Sequence, residues 1–242
     1  MSAGAYLTFD IDWAPEFAID DLTELLTATR VPVTVFHTHR TGAAERLLKR
    51  PNTETAVHPN FLDAPDPAVR LKEVLTAFPA AKGVRNHRLY YHSGLLGVFH
   101  KAGIEYLSND LLFLQEALQP LYDWSGLVRL PIYWEDDVQS IYFGDRYDLA
   151  VLNLARKGMK VFNFHPIHLF LNTRDVREYR AVKSQLKEER DARKHQKSGR
   201  GIRTLFLELL REIEKSGTKT LGEAARDFRR AKKYEGHYAE YG

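Results

Sequence analysis

The sequence predicts an α/β fold, most simply an α/β barrel, followed by a helical C-terminal extension. Two observations carry this prediction. Short β-rich runs alternate with helical patterns over residues 1–172, and only helical patterns follow, over residues 173–242. Strands separated by helices form βαβ units, which build a parallel sheet or barrel. We therefore expect one domain, with the extension packed against the barrel.

The predicted strands are rich in β-branched and aromatic residues, as buried strands are. They cover residues 5–11, 31–37, 54–58, 83–87, 104–107, 127–133 and 160–165. The predicted helices between them carry apolar residues at helical spacing. They cover residues 20–29, 41–49, 66–78, 93–102 and 147–157.

The extension is predicted to contain three helices. A long, highly charged helix covers 173–195, a strongly amphipathic one covers 202–214, and a last one covers 220–231. We expect the amphipathic helix to pack on the barrel rather than to form a dimer contact. The Tyr- and Gly-rich end, 234–242, is expected to be loosely ordered.

The composition limits the chemistry of any site. The 242 residues include no cysteine and ten histidines. Disulfide scaffolds, cysteine zinc sites, iron–sulfur clusters and thiol nucleophiles are thereby excluded. A metal ion would have to be held by His, Asp, Glu or water. The sequence shows neither a secretory signal nor an apolar run long enough to span a membrane, so we expect a cytoplasmic protein.

The formal net charge of +3 is unevenly distributed. Residues 1–173 contain 16 Lys and Arg against 20 Asp and Glu, whereas residues 174–233 contain 19 against 10. In the first extension helix both signs alternate at helical spacing, and no aromatic residues interleave for base stacking. We interpret this segment as a solvated helix face and expect no nucleic-acid partner.

Chemically capable side chains cluster where predicted strands end, which is where active-site groups gather in parallel α/β folds. Asp10 and Asp12 follow the first strand, and they point to the same side if that strand persists. Two carboxylates there are costly to bury without a cation or a shared proton. The alternative is one helix-capping and one loop aspartate.

Four further strands end in such groups. His58 follows the third strand, Arg85 the fourth, the acids Asp136 and Asp137 the sixth, and His165 the seventh. Taken singly, each has an ordinary structural explanation. Together they supply acid–base groups and metal ligands.

The motifs and their order resemble the polysaccharide deacetylase (NodB-homology) superfamily, and above all its WbmS-like branch found with lipopolysaccharide O-antigen biosynthesis. The motifs are Thr-Phe-Asp-x-Asp, Glu-x-x-x-His, Val-Arg, Leu-Pro-x-x-Trp-x-Asp-Asp, Phe-x-Phe-His-Pro and the late Thr-Leu-Gly-Glu. The resemblance implies a distorted (β/α)7 barrel. It also implies metal-dependent hydrolysis of an N- or O-acetyl group on a carbohydrate such as a polysaccharide or O-antigen precursor, with zinc as the expected metal.

The resemblance also implies roles for individual residues. Asp10 matches the catalytic base, Asp12 and His58 metal ligands, Arg85 the arginine that holds the base, Asp136 or Asp137 the supporting acids, and His165 the general acid. We expect a raised pKa for Asp10 in its apolar setting, and a carboxylate partner that keeps His165 cationic. Substrate contacts are expected from Trp13, Trp134 and Asn60.

One family position differs in this chain. The second metal histidine of the family falls on Leu62, which cannot bind a metal. The third ligand would then be His87, Glu54 or water. Two other functions stay open: hydrolysis of a different C–N amide bond on the same scaffold, and an inactive sugar-binding role in polysaccharide assembly.

Overall fold

A curved sheet forms the centre of the computed structural model, which describes residues 4–235. Its strands run in the order β6-β7-β5-β4-β3-β2-β1-β9-β8, and all neighbours pair in parallel except β6 and β7. The strands are β1 (Ala5–Asp10), β2 (Val33–His37), β3 (Thr53–Val57), β4 (Gly83–Val84), β5 (Tyr106–Leu107), β6 (Leu121–Tyr122), β7 (Val128–Arg129), β8 (Ile132–Glu135) and β9 (Lys160–Phe164).

Residues 128–135 provide strands on both sides of this sheet. The sequence predicts a single strand over 127–133, but the structure splits it into β7 and β8, because Pro131 between them has no N–H for a ladder hydrogen bond. β7 pairs with β5, whereas β8 pairs with β9 at the other end of the strand order. With β7 and β8 counted as one interrupted strand, seven parallel strands form the distorted barrel. The predicted fold class is confirmed.

The helices follow the predicted alternation. They are α1 (Glu16–Thr27), α2 (Gly42–Leu48), α3 (Pro67–Ala77), α4 (Gly94–Lys101), α5 (Asp136–Phe143), α6 (Pro166–Leu171), α7 (Val176–Val182), α8 (Glu189–Arg193), α9 (Ile202–Ser216) and α10 (Leu221–Ala231).

Two predicted helices are wrong. The segment 147–157 forms only a 3-10 turn, Leu149–Leu152, because Asn153 adopts a left-handed conformation and ends it. The predicted helix 173–195 is divided into α7, a 3-10 turn and α8. The chain turns at Leu186, whose side chain is buried beside Ile167 and Phe170 of α6. Burial of this leucine overrides the continuous helical pattern of the charged residues.

The extension contacts the barrel through α9. Its buried face includes Phe206, whose ring lies 5.9 Å from that of Phe9 in β1 and 5.1 Å from that of Phe164 in β9. Among residues 4–235, no helix combines the length and apolarity needed to cross a membrane. The prediction of a loose end over 234–242 concerns residues that, apart from the first two, lie outside the described range.

Candidate active site

Asp10, at the carboxyl end of β1, is held by two buried side chains. Arg85 Nη1 donates to its Oδ1 and Asn163 Nδ2 donates to its Oδ2, each at 2.9 Å. Burial raises the pKa of Asp10, but the positive charges of Arg85, His58 and His165 outweigh burial and hold the pKa below its ordinary value. The expectation of a raised pKa is therefore wrong, because the apolar strand end also holds a buried guanidinium.

Asp12 forms a compact group with two histidines. β1 ends at Asp10, so the strand does not persist to Asp12, which adopts a left-handed conformation with φ of 46°. Its Oδ1 lies 3.1 Å from His58 Nε2 and 2.9 Å from His87 Nδ1. One donor atom from each residue lies within 4.8 Å of the other two. One carboxylate and two imidazoles form a donor set that suits zinc.

Of the alternatives for a third ligand, His87 is the one that lies in this group. His87 lies in a 3-10 turn after β4. Leu62 lies in a loop and is 45% exposed. Glu54 lies at the opposite, amino end of the strands, where it accepts hydrogen bonds from Thr34 Oγ1 and the Gly222 N–H. Glu54 is therefore excluded as a ligand.

His165 is paired with Asp136 at the carboxyl ends of β9 and β8. Its Nδ1 lies 2.7 Å from Asp136 Oδ1, and its backbone N–H donates to Asp136 Oδ2 at 2.8 Å. Burial lowers the pKa of His165, but Asp136 raises it more, so the pKa lies well above its ordinary value. The expected partner carboxylate is thus Asp136. Asp137 instead has a side chain 45% exposed and lies 3.9 Å from His168.

A second group also has metal-type donors within 4.8 Å of one another: Asp136, Asp137, His165 and His168. Two of its members also use ligand atoms on groups outside any ligand set, the backbone N–H of His165 and the hydroxyl of Thr173. Asp136 commits both oxygens to His165, and His168 Nδ1 lies 3.0 Å from Thr173 Oγ1. The group around Asp12 is therefore the better candidate for a metal.

Sequence reasoning missed two residues of this site. Asn163, in β9, bridges Asp10 and Arg85, whose Nη1 donates to Asn163 Oδ1 at 2.5 Å. Glu135 ends β8 beside Asp10 and His165, and burial raises its pKa to about 8. The signals were present, because an amide interrupts the apolar run of β9 and a third acid adjoins the pair after β8.

A cavity of about 720 Å³ opens in front of these groups and is lined by Asp10, Asp12 and His165. Trp13 also lines it, with its surface 57% exposed and its ring 4.9 Å from that of His87. A second groove, of about 870 Å³, lies between α3 and α4. That groove has no histidine or carboxylate in its lining, so the chemistry belongs to the first cavity.

The other two expected substrate contacts are differently placed. Trp134 is fully buried, and its Nε1 donates to Gln139 Oε1 at 2.7 Å. The expectation that Trp134 contacts substrate is wrong, because its ring is fully buried in the core. The Asn60 side chain bonds within its own loop, donating to Asp63 Oδ2 and accepting from the Leu62 N–H.

Comparisons with known proteins agree with this geometry. A family model described as WbmS-like polysaccharide deacetylase matches residues 7–183. A solved structure from Bordetella bronchiseptica, described as a polysaccharide deacetylase involved in O-antigen biosynthesis, is 32% identical with a TM-score of 0.81. That match covers 87% of this chain and 91% of the Bordetella chain.

Two more distant structures share the fold alone. One, described as a polysaccharide deacetylase from Mycobacterium smegmatis, is 16% identical with a TM-score of 0.60, and covers 100% of this chain and 95% of its own. The other, a 4-alpha-glucanotransferase from Thermococcus litoralis, is 15% identical with a TM-score of 0.50, and covers 93% and 45%. No curated protein matches this chain.

Proposed function

Because the chain belongs to the WbmS-like polysaccharide deacetylase family, we propose that it is a metal-dependent hydrolase that removes an acetyl group from a carbohydrate of the O-antigen type. The family is one of hydrolases that act on C–N bonds of carbohydrates. The observation that carries the metal dependence is the convergence of Asp12, His58 and His87 beside Asp10 and His165.

Asp12, His58 and His87 would hold a divalent cation. Their donors are those that zinc prefers; Asp12 and His87 line the cavity, and His58 is buried next to them. The buried Nδ1 of His58 has no hydrogen-bond partner within the described residues and lies 4.0 Å from Asp10 Oδ1, beyond hydrogen-bond distance. When bound, such a cation polarises the acetyl carbonyl and lowers the pKa of water.

Asp10 would accept the proton of the attacking water. Its lowered pKa keeps it ionised at neutral pH. Arg85 and Asn163 each occupy one of its oxygens, but a carboxylate oxygen has a second lone pair that can accept a proton. These two contacts therefore fix the carboxylate in one orientation while leaving it able to act as a base.

His165 would protonate the leaving nitrogen, because an amine leaves poorly as an anion. The contact with Asp136 occupies Nδ1 and favours the imidazolium. Nε2 is left on the side of Asp12, 3.8 Å from its Oδ2. The proton available for transfer is thus on the nitrogen nearest the candidate metal ligands.

The inactive sugar-binding alternative depended on Leu62. With His87 in the donor group, a three-residue set is available without any contribution from position 62. This supports an enzyme over a binding protein.

The test is metal analysis of the purified protein combined with acetate release from acetylated O-antigen sugars. We expect stoichiometric zinc in the wild type, and loss of zinc together with at least about 10³-fold of activity in His58→Ala and His87→Ala. Leu62→Ala, the matched control, should keep both. The proposal is overturned if the wild type binds no metal, or if His87→Ala retains full metal content and activity.

A further inference from the structure

The cavity has a second wall, formed by α7 and the residues that follow it. Tyr179, Arg180, Lys183 and Lys187 line the cavity from this segment. Tyr179 and Arg180 lie in α7, and Lys183 and Lys187 follow where the chain is no longer α-helical. We call Arg180, Lys183 and Lys187 the cationic wall.

The three side chains of the cationic wall are exposed. Within residues 4–235, none of them has a carboxylate within 4.0 Å. Over residues 176–197, every cation that does not line the cavity has a carboxylate within 4.0 Å, for example Arg177 with Asp175 and Lys194 with Asp191, each at 2.6 Å. Within this segment, positive charge without a carboxylate partner is thus confined to the face toward the cavity.

Arg88 adds a fourth cation to the same cavity. It follows His87 directly, and both Arg88 and Leu89 have positive φ, 56° and 52°. Consecutive left-handed residues that are not glycine are strained, and such strain persists where the surrounding structure imposes it. Arg88 therefore lies at the cavity on a strained stretch of backbone.

A chain of ring contacts connects the cationic wall to the proposed general acid. The rings of His165 and His168 lie 5.8 Å apart, and those of His168 and Tyr179 lie 4.5 Å apart. Lys183 Nζ lies 5.9 Å from the centre of the Tyr179 ring. Lys183 of the cationic wall is therefore linked to the proposed general acid through Tyr179 and His168.

The lining of the cavity carries both signs of charge. Asp10, Asp12 and Asp137 are its acidic residues, and the cationic wall and Arg88 are its basic ones. A neutral sugar would leave the cationic wall without a counter-charge. A carboxylate or a phosphate would pair with the arginine fork and the lysine ammonium groups.

We propose that the cationic wall binds an anionic group of the substrate, a carboxylate or a phosphate, so that the enzyme selects acidic acetylated sugars. This inference rests on the proposed deacetylase function for its substrate, but the anion contact can be measured by itself. It also assigns a role to part of the basic extension, which sequence analysis interprets as a solvated face.

The test is calorimetric binding of three probes: N-acetylglucosamine-1-phosphate, N-acetylgalactosaminuronic acid and neutral N-acetylglucosamine. We expect at least one anionic probe to bind about tenfold more tightly than the neutral one, and added salt to weaken only anionic binding. The phosphate and uronate probes show which anion is preferred. Acetate release is measured for all three probes in parallel.

The triple variant Arg180→Gln, Lys183→Gln, Lys187→Gln should lose the tenfold preference and leave binding of the neutral probe within about twofold. The matched control is Arg190→Gln, Lys194→Gln, Lys215→Gln, which removes the same charge from exposed residues outside the cavity. The control should keep the preference.

The outcomes separate the two proposals. Equal binding of neutral and anionic probes, or equal loss of preference in both triple variants, overturns the anion site. If acetate release from the neutral probe is as fast as from either anion, the deacetylase stands and the selection of acidic sugars is overturned. If the preference depends on the cationic wall but no probe releases acetate from zinc-loaded protein, the anion site stands and the proposed function is contradicted.

Discussion

The two ends of the barrel each hold a carboxylate on a central strand, and the two carboxylates have neighbours of different charge. At the amino end, Glu54 accepts hydrogen bonds from Thr34 Oγ1 at 2.7 Å, Tyr106 OH at 3.0 Å and the Gly222 N–H at 2.8 Å. These donors are all neutral. At the carboxyl end, Asp10 is surrounded by Arg85 and by histidines that can change charge.

The groups that surround each carboxylate distinguish a structural role, for Glu54, from a reactive one, for Asp10. Glu54 accepts hydrogen bonds from Thr34 in β2 and from Gly222 in α10. It therefore links α10 to the sheet through neutral donors. Of the groups around Asp10, His165 lines the cavity, and an imidazole there can gain or lose a proton. A short sequence motif containing both Glu54 and His58 does not reveal that their side chains serve opposite ends.

The largest effect expected at either end follows from removal of the proposed general acid. His165→Gln should lower acetate release by about 10²–10⁴-fold, the usual contribution of a positioned proton donor. Zinc content should stay unchanged, because His165 lies outside the proposed ligand set. Glu54→Gln, at the other end, should leave the rate per folded molecule unchanged. Equal activity loss in the two variants would contradict the distinction between the ends.

Asp136→Asn tests the role of His165 as the general acid through the pH dependence of the rate. Asp136 raises the pKa of His165, so the imidazolium persists to high pH in the wild type. Without that carboxylate the pKa of His165 falls, and the alkaline limb of the pH–rate profile should move to lower pH. A profile identical to that of the wild type would show that His165 is not the titrating acid.

The second prediction concerns stability at the amino end. Glu54→Leu should lower the free energy of unfolding by about 1–3 kcal/mol, because it leaves Thr34, Tyr106 and the Gly222 N–H without their acceptor. Gly222→Ala tests the same contact, since a Cβ there would lie 2.1 Å from Glu54 Oε1. Urea unfolding measures both.

The matched control for Glu54 is Glu24→Gln, at an exposed position on α1. It should change the free energy of unfolding by less than about 0.5 kcal/mol. If Glu54→Leu changes the free energy of unfolding equally little, Glu54 does not stabilise the packing of α10 on the sheet, and the proposed difference between the two ends is contradicted.

The sequence predicted much of the carboxyl end because strand ends are local signals. A β-rich run followed by a charged residue identifies Asp10, His58 and His165 without knowledge of the sheet order. In a parallel barrel, the carboxyl ends of all strands lie on one side. These residues could therefore be grouped before their distances were known.

The rest depended on how side chains and segments turn in three dimensions. Trp134 resembles a sugar-stacking residue in sequence, yet it points into the core, because neighbouring residues of a strand face opposite sides. His37 ends β2 as His58 follows β3, but its ring is buried and stacks on Phe78, and burial lowers its pKa to about 3. Both histidines are buried, and they differ in what each ring contacts: Phe78 for His37 and the Asp12 carboxylate for His58. The local sequence does not encode these contacts.

The smallest expected effect, counted per pH unit, is a change in stability that depends on Glu135, a buried acid at the carboxyl end. Burial raises its pKa from 4.5 to about 8 in the folded protein. Between these values the unfolded chain releases a proton that the folded protein retains, so stability falls as pH rises, by up to about 1.4 kcal/mol per pH unit. Below pH 4.5 this contribution no longer varies.

Urea unfolding of metal-free protein at several pH values between 5 and 8 measures this decline. Glu135→Gln cannot ionise and should flatten it, whereas Asp137→Asn, a change of the same kind at a half-exposed neighbour, should not. If Glu135→Gln keeps the slope of the wild type, burial does not raise the pKa of Glu135 in the folded protein, and the prediction is contradicted.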